Sequence, residues 1–389
     1  MIKKICIISD HYPSGTDSTF AFVEQLVFAL VDCGIEVTVI SPFSKLSAKK
    51  NNRGFREEQE KRKTYNGNQY TVYSPRIFSF SNIPLIGNHV HEFRYSYMKH
   101  KIEKIIKFNN NQFDAIYGHF ISNAGMLASE IGKRLNIPSF VACGESNIER
   151  SLQNIETSVV NKRLQNVKGV IAVSSEIKKQ IEKLEIFNTD NIKVFSNGVD
   201  TKLFCPDKLD RERRRELLGV KQKDFVVAFI GHFTERKGPL RVLNAISQIP
   251  DVKGVFIGNG PQTPVGDNVL FNSQLNHKEI PGLLRIADVF VLPTLEEGCC
   301  NAVIEAMACG LPIISSDRKF NDDILFSDNS IRIDPNDIEQ IKNAIVKLKE
   351  NPIMKQELGE CSFKHASILS IENRANVIAE FIESSILSL

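Results

Sequence analysis

The chain has 389 residues, 42% hydrophobic and 24% charged, with 49 Lys plus Arg against 46 Asp plus Glu and a net charge of +3. That length exceeds one ordinary hydrophobic core and predicts two domains of roughly under two hundred residues each. The composition excludes disordered, collagen-like and coiled-coil chains, and the near-balanced charge argues against nucleic acid as a partner.

Along the chain, short Ile/Val-rich runs alternate with helical patterns, the signature of parallel sheets built from βαβ units, so the fold class is α/β. The opening Lys4–Ser9 run reads as a buried strand too short for a signal peptide, and no stretch reaches the roughly 18 apolar residues of a membrane span, so a cytoplasmic protein is expected. A helix from about Thr19 to Cys33 follows, ended by Gly34, then strands at Glu36–Ser41, Asp114–Gly118, Ser139–Ala142 and Gly169–Val173. Between them, residues 45–63 carry eight basic and three acidic side chains, a local +5. This stretch reads as a solvated loop, or alternatively as a surface for anionic lipid. In Phe93–Phe108, Phe93, Tyr97, Ile102, Ile105 and Ile106 interleave with Arg94, Lys99, Lys101, Lys104 and Lys107, a pattern shared by membrane-surface and core-facing amphipathic helices. His89 and His91 lack a third ligand at metal spacing and read as surface residues.

After Ile192–Phe195, the Asn197-Gly198 turn and a basic helical stretch at Arg211–Leu218 mark the domain linker. A second series of strands is expected at Phe225–Gly231, Gly254–Ile257, Asn268–Phe271, Val289–Leu292 and Pro312–Ser315. The eight cysteines (6, 33, 143, 205, 299, 300, 309 and 361) include no C-x-x-C pair, so neither a zinc site nor a disulfide framework is expected, and most should be small core residues.

The most informative stretch is Pro293-Thr294-Leu295-Glu296-Glu297-Gly298-Cys299-Cys300-Asn301-Ala302-Val303-Ile304-Glu305. A buried strand, a glycine turn and a helix place backbone amides of Gly298, Cys299, Cys300 and Asn301 where an anion such as a diphosphate is stabilised. Glu297 and Glu305 would repel that anion and more naturally accept bonds from neutral hydroxyls on either side, and a phosphate flanked by polyols is a nucleotide sugar. The plainer reading makes Glu297 a helix-dipole partner and Glu305 a surface carboxylate. No G-x-x-x-x-G-K-[ST] loop, complete G-x-G-x-x-G or D-x-D pair occurs, which weakens NTPase, dinucleotide and motif-held metal readings.

The spacing from Glu297 to Glu305, with Glu305-Ala306-Met307-Ala308-Cys309-Gly310-Leu311-Pro312, resembles the E-x7-E region of retaining glycosyltransferases of family 4, which have the GT-B fold. Ser196-Asn197-Gly198-Val199-Asp200 with Phe204 and Pro206, Phe229 to Gly238, and Phe256 to Pro261 are similar to that family's other signatures. The resemblance implies two doubly wound Rossmann-like domains facing a central cleft, an acceptor-side one over 1–197 and a nucleotide-sugar one over 198–368, with 369–389 a helix returning to the first. It assigns Lys237 to the donor diphosphate, Glu297 to hydroxyls of the transferred sugar, Glu305 to the ribose diol and His119 to the donor sugar near the reacting carbon, with His119, Lys237 and Glu297 catalytic. Donor contacts extend to Gly15, His232, Arg236, Gly258, Phe271, Gly298, Cys299, Cys300 and Asn301. Where relatives carry Arg after the loop glycine this chain has His232, so His232 or Arg236 is expected to supply the second phosphate contact, Arg236 being otherwise a solvent-facing charge. Cys143 stands where a histidine is common.

The resemblance thus implies retaining, metal-independent transfer of a sugar from a nucleotide diphosphate sugar to a hydroxyl of a glycan or lipid-linked acceptor, without a cofactor, in cell-surface polysaccharide or glycolipid synthesis. It places the protein in the cytoplasm or peripherally at the inner membrane face. The rival readings are a sugar-nucleotide epimerase of the same fold and a non-catalytic partner subunit with a degraded donor site.

Overall fold

The computed structural model describes residues 2–14, 20–44, 56–77, 87–110 and 112–387, with the side chains of 87–91 excepted. Two compact units divide the chain: Met1–Phe195 with Arg374–Leu389, and Ser196–Asn373. Val199 donates to the Leu369 carbonyl and accepts from Ile371, so the segments around 199 and 369–371 pair with each other inside the second unit. The divisions therefore fall at 195/196 and 373/374, where the sequence placed them at 197/198 and 368/369.

In the first unit, β1 (Lys4–Ser9), β2 (Glu36–Ile40), β3 (Gln59–Lys63), β4 (Gln69–Tyr73), β5 (Ala115–His119), β6 (Ser139–Cys143), β7 (Val167–Ala172) and β8 (Ile192–Val194) lie in the order β3-β4-β2-β1-β5-β6-β7-β8. Every pairing is parallel except β3 with β4. The basic 45–63 stretch, expected as a solvated loop, is thus in part an edge strand. Gln-Glu-Lys-Arg-Lys has no apolar residue to advertise pairing, and charge of this kind is what guards an exposed sheet edge. Residues 45–55 lie outside the described residues.

In the second unit, β9 (Phe225–Ile230), β10 (Val252–Ile257), β11 (Val269–Ser273), β12 (Val289–Leu292), β13 (Ile313–Ser316) and β14 (Ser330–Ile333) run in the order β11-β10-β9-β12-β13-β14, all parallel. Near-continuous burial of β9, β10 and β12 explains their apolar runs, since helices cover both faces. In each unit the first strand is central and the chain winds outward in both directions. The order therefore reverses beside β1 and beside β9, and the crevice beyond the strand ends at such a reversal is where open α/β sheets bind ligands.

The helix Gly87–Phe108 buries Tyr95, Met98, Ile102 and Ile106, spaced three or four apart on one face, while Phe93 is 66% exposed. The amphipathic pattern is therefore a core-facing stripe that keeps Ile102 and Ile106 of the residues the sequence pointed to and adds Tyr95 and Met98. The last helix, Ile371–Leu387, packs on the first unit through Phe381, whose ring meets Phe140 at 6.0 Å and Phe195 at 5.9 Å. Among the described residues no helix is long and apolar enough to cross a membrane.

Candidate functional site

Beyond β9 the backbone turns through Gly231 to Gly238, where Phe233 is buried and its amide bonds the Asn259 carbonyl at 2.7 Å. Gly258 is required here because a Cβ would overlap the Gly231 carbonyl oxygen, so the loops after β9 and β10 meet backbone to backbone. Gly238 adopts φ 76° at the start of the helix Pro239–Ser247, a left-handed cap that a side chain would strain. The loop after β12 is tied to the same turn, Leu295 N–H donating to the Arg236 carbonyl at 2.8 Å.

These loops bring Lys237, Arg236 and Glu297 together. Lys237 Nζ is ion-paired with Glu297 Oε1, which also accepts from Thr294 Oγ1 at 2.9 Å and from Arg236 Nη1 at 3.4 Å. Arg236 further donates to the Glu296 carbonyl at 2.5 Å, so it is not the purely solvent-facing charge of the plainer sequence reading. Two cations around one carboxylate leave this group of three with a surplus positive charge, at the mouth of a helix.

That helix spans Asn301–Ala308, with Cys300 as an N-cap that makes no side-chain capping bond. It begins later than the glycine turn suggested, so Gly298 and Cys299 belong to the preceding loop, where the Cys299 carbonyl accepts from Asn197 Nδ2 at 3.1 Å. The first amides of an uncapped helix attract an anion. Cys300 is no nucleophile: burial, with the charge of Glu297 added, pushes its thiol up to about 12. Asn301 Oδ1 is buried without a hydrogen-bond partner among the described residues.

Glu305 is buried rather than a surface carboxylate, and accepts from His277 Nε2 at 2.8 Å. Burial alone would lower the pKa of His277, but the bond to Glu305 and the charges of Glu305 and Asp200 raise it on balance. Sequence reasoning missed His277, which lies 28 positions from Glu305 on a short 3₁₀ turn, His277–Glu279. A second missed link runs sideways: His232 Nδ1 donates to Asn259 Oδ1 at 3.2 Å and Asn259 Nδ2 to Gln274 Oε1 at 2.6 Å. This chain spans the loops after β9, β10 and β11 beside Phe271, which sits half-buried on β11 opposite Val255.

In the first unit His119 ends β5, 3% exposed, its ring 4.8 Å from Phe120 and 5.5 Å from Phe22. Burial, with Arg374 adding to it, pushes its imidazole pKa down to about 3, so the ring is neutral at neutral pH. Neither ring nitrogen has a hydrogen-bond partner among the described residues. Phe120 follows with φ 80° and ψ 147°, a conformation costly for any side chain, and a π-type turn runs over Ile121–Gly125. Glu145 steadies the turn by accepting from Ile121 N at 2.6 Å, and burial pushes its carboxyl up to about 7. Gly15 lies outside the described residues, as do the side chains of His89 and His91, which fall on the helix Gly87–Phe108 rather than on a loop. Cys143 is buried at the end of β6.

Comparison with known proteins gives a consistent result. Residues 21–203 match the family described as Glycosyltransferase Family 4, and residues 210–365 that described as Glycosyl transferases group 1. The chain is 25% identical over 307 residues to the Escherichia coli UDP-Gal:alpha-D-GlcNAc-diphosphoundecaprenol alpha-1,3-galactosyltransferase, covering 73% of this chain and 78% of that one. It is 23% identical over 365 residues to a Bacillus subtilis protein assigned as a teichuronic acid biosynthesis glycosyltransferase, covering 92% of each. The solved structure of Anabaena HepE in complex with UDP superposes with a TM-score of 0.74 at 17% identity, covering 98% of this chain and 100% of that one.

Proposed function

The chain belongs to glycosyltransferase family 4, with the GT-B fold and glycosyltransferase activity, and from that premise we propose that it moves a sugar from a UDP-sugar to a lipid-linked acceptor during assembly of a cell-surface glycan. Transfer proceeds with retention at the anomeric carbon and without a metal ion. The observation that carries this reading is the Lys237–Arg236–Glu297 group held beside an uncapped helix start at the strand-order reversal of the second unit.

As the bond to the sugar breaks, negative charge grows on the departing diphosphate. Lys237, Arg236 and the first amides of Asn301–Ala308 are already oriented to stabilise that charge, so little reorganisation is needed. Glu297 has two tasks: it holds Lys237 through Oε1 in the absence of donor, and it accepts hydroxyls of the sugar when the diphosphate draws Lys237 away. Glu305, oriented by His277, receives the ribose diol. Neutral His119, with both ring nitrogens unspent, bonds the sugar near the reacting carbon. The acceptor hydroxyl attacks from the face the leaving group departs, passing its proton to a phosphate oxygen. The relatives' names support a UDP donor and a diphosphate-linked lipid acceptor. The protein works in the cytoplasm, with the basic 45–63 stretch meeting anionic lipid.

The test is hydrolysis and thermal stabilisation across UDP-, GDP- and ADP-sugars in chelator, for wild type, Lys237→Ala and Glu297→Ala. A ligand at 100 times its dissociation constant should stabilise by about 2.7 kcal/mol. Turnover of a UDP-sugar alone, lost in both variants, supports the reading; turnover only after adding a divalent cation removes its metal-independent part.

A further inference from the structure

A cavity of about 160 Å³ opens in the first unit, lined by Asp10 just after β1, Phe43 after β2, Arg56, Arg94 and Met98 of the helix Gly87–Phe108, and Asn123 after β5. It lies at the C-terminal edge of the parallel strands, beside the strand-order reversal at β1, and shares no residue with the donor machinery of the second unit. Pockets that take whole small ligands run to about 300–1,000 Å³. This one is sized for a single functional group of a larger molecule.

Its chemistry selects the group. Arg56 is 5% exposed, its guanidinium 5.4 Å from the centre of the Phe43 ring. Arg94 Nε is buried with no hydrogen-bond partner among the described residues, which is costly unless something supplies an acceptor. The acidic member of the lining is Asp10, and burial pushes its carboxyl up to about 6 against the charge of Arg94 and a hydrogen bond from Asn123. The unpartnered Arg94 nitrogen therefore asks for an acceptor, and the planar guanidinium fork fits the oxygens of a phosphate.

We propose that this cavity binds a phosphate group of the acceptor, with Arg94 as its principal ligand and Arg56 in support. The inference rests on the reading of the acceptor as a phosphate-bearing, lipid-linked sugar, and it places the recognition of that phosphate on the first unit. The phosphate anchors the acceptor while its sugar hydroxyl reaches the donor.

The test measures binding, with UDP saturating the donor site, of three probes: the methyl glycoside of N-acetylglucosamine, N-acetylglucosamine 1-phosphate, and the same sugar joined through a diphosphate to a short alkyl chain. Wild type is compared with Arg94→Gln and Arg94→Lys. The expected result is at least a tenfold gain in affinity from the phosphate, lost in Arg94→Gln and partly restored in Arg94→Lys, while UDP binding is the same in all three proteins. A gain with the 1-phosphate and the diphosphate alike shows that any sugar phosphate suffices; a gain with the diphosphate alone assigns the cavity to the lipid-linked form. No phosphate-dependent gain in wild type, or one that survives Arg94→Gln, overturns the proposal. Loss of UDP binding in wild type would instead count against the donor reading, so the two failures are distinguishable.

Discussion

Among the described residues, the Glu297 side chain takes three hydrogen bonds on one oxygen, Oε1, and that arrangement fixes what its neighbours do. On the proposed function, removing Lys237 removes a cation that stabilises the developing diphosphate charge. Lys237→Ala is therefore expected to lower turnover about 10²–10³-fold, the scale seen when a preorganised charge-stabilising donor is lost, measured as initial rates of UDP-sugar hydrolysis. His277 gives a pH test. In the unfolded chain it titrates near 6.5, and in the folded protein its pKa is raised, so the folded state keeps a proton that the unfolded state has lost. The stabilisation from the His277–Glu305 pair is complete below about pH 6.5 and fades as pH rises through the folded value. The melting-temperature gap between wild type and His277→Gln should thus be wider at about pH 6 than at about pH 9; an equal gap at both contradicts the pairing. Glu297 and Glu305 were legible because their spacing along a strand, turn and helix carries chemical meaning, and Lys237 because the family resemblance points to it. His277 and Asn259 were not, since each reaches its partner only when separate loops meet at the sheet edge.

The strands announced themselves where both faces are covered, as in the Phe-Val-Val-Ala-Phe-Ile of β9, and stayed silent where they are not. β3 is wholly polar, and β14 has only Ile331 and Ile333 in a run of four. The helix after β12 was legible as a helix, but not its first residue, Asn301, because the glycine turn and both cysteines precede it. The last helix, Ile371–Leu387, falls within the 369–389 span expected for it, and it offers a test of packing. Phe381 is 9% exposed, and a Cβ on Gly169 would collide with its ring, so the contact is close. Phe381→Ala should cost about 3–5 kcal/mol, visible as a lower denaturant midpoint for the first unit. A loss below about 1 kcal/mol would mean that the helix contributes little to that unit.

At the scale of the molecule, a net charge of +3 is too small to drive general binding to polyanions, so any membrane contact must come from local charge. In the described part of the 45–63 stretch, Arg62 is occupied with Glu60 and the Pro13 carbonyl, whereas Lys61 and Lys63 stand exposed on the edge strand. At about 1 kcal/mol for each basic residue at an anionic surface, neutralising Lys45, Lys49, Lys50, Lys61 and Lys63 should abolish sedimentation with anionic vesicles at low salt. Sedimentation unchanged by those substitutions would move the contact elsewhere. The division into two α/β units was readable from length and from the repeating strand-helix pattern, but which side chains the loops gather at each sheet edge was not.

On the proposed function, Lys237 serves the diphosphate and Glu297 the sugar. Calorimetric titration of UDP into wild type, Lys237→Ala and Glu297→Gln tests it most directly, paired with hydrolysis of the UDP-sugar. Lys237→Ala is expected to bind UDP about tenfold or more weakly, a loss of about 1.4 kcal/mol or greater. Glu297→Gln should bind UDP at least as tightly as wild type, because it frees Lys237, yet turn over no sugar. UDP affinity unchanged in Lys237→Ala, or lost equally in Glu297→Gln, would contradict that division of labour.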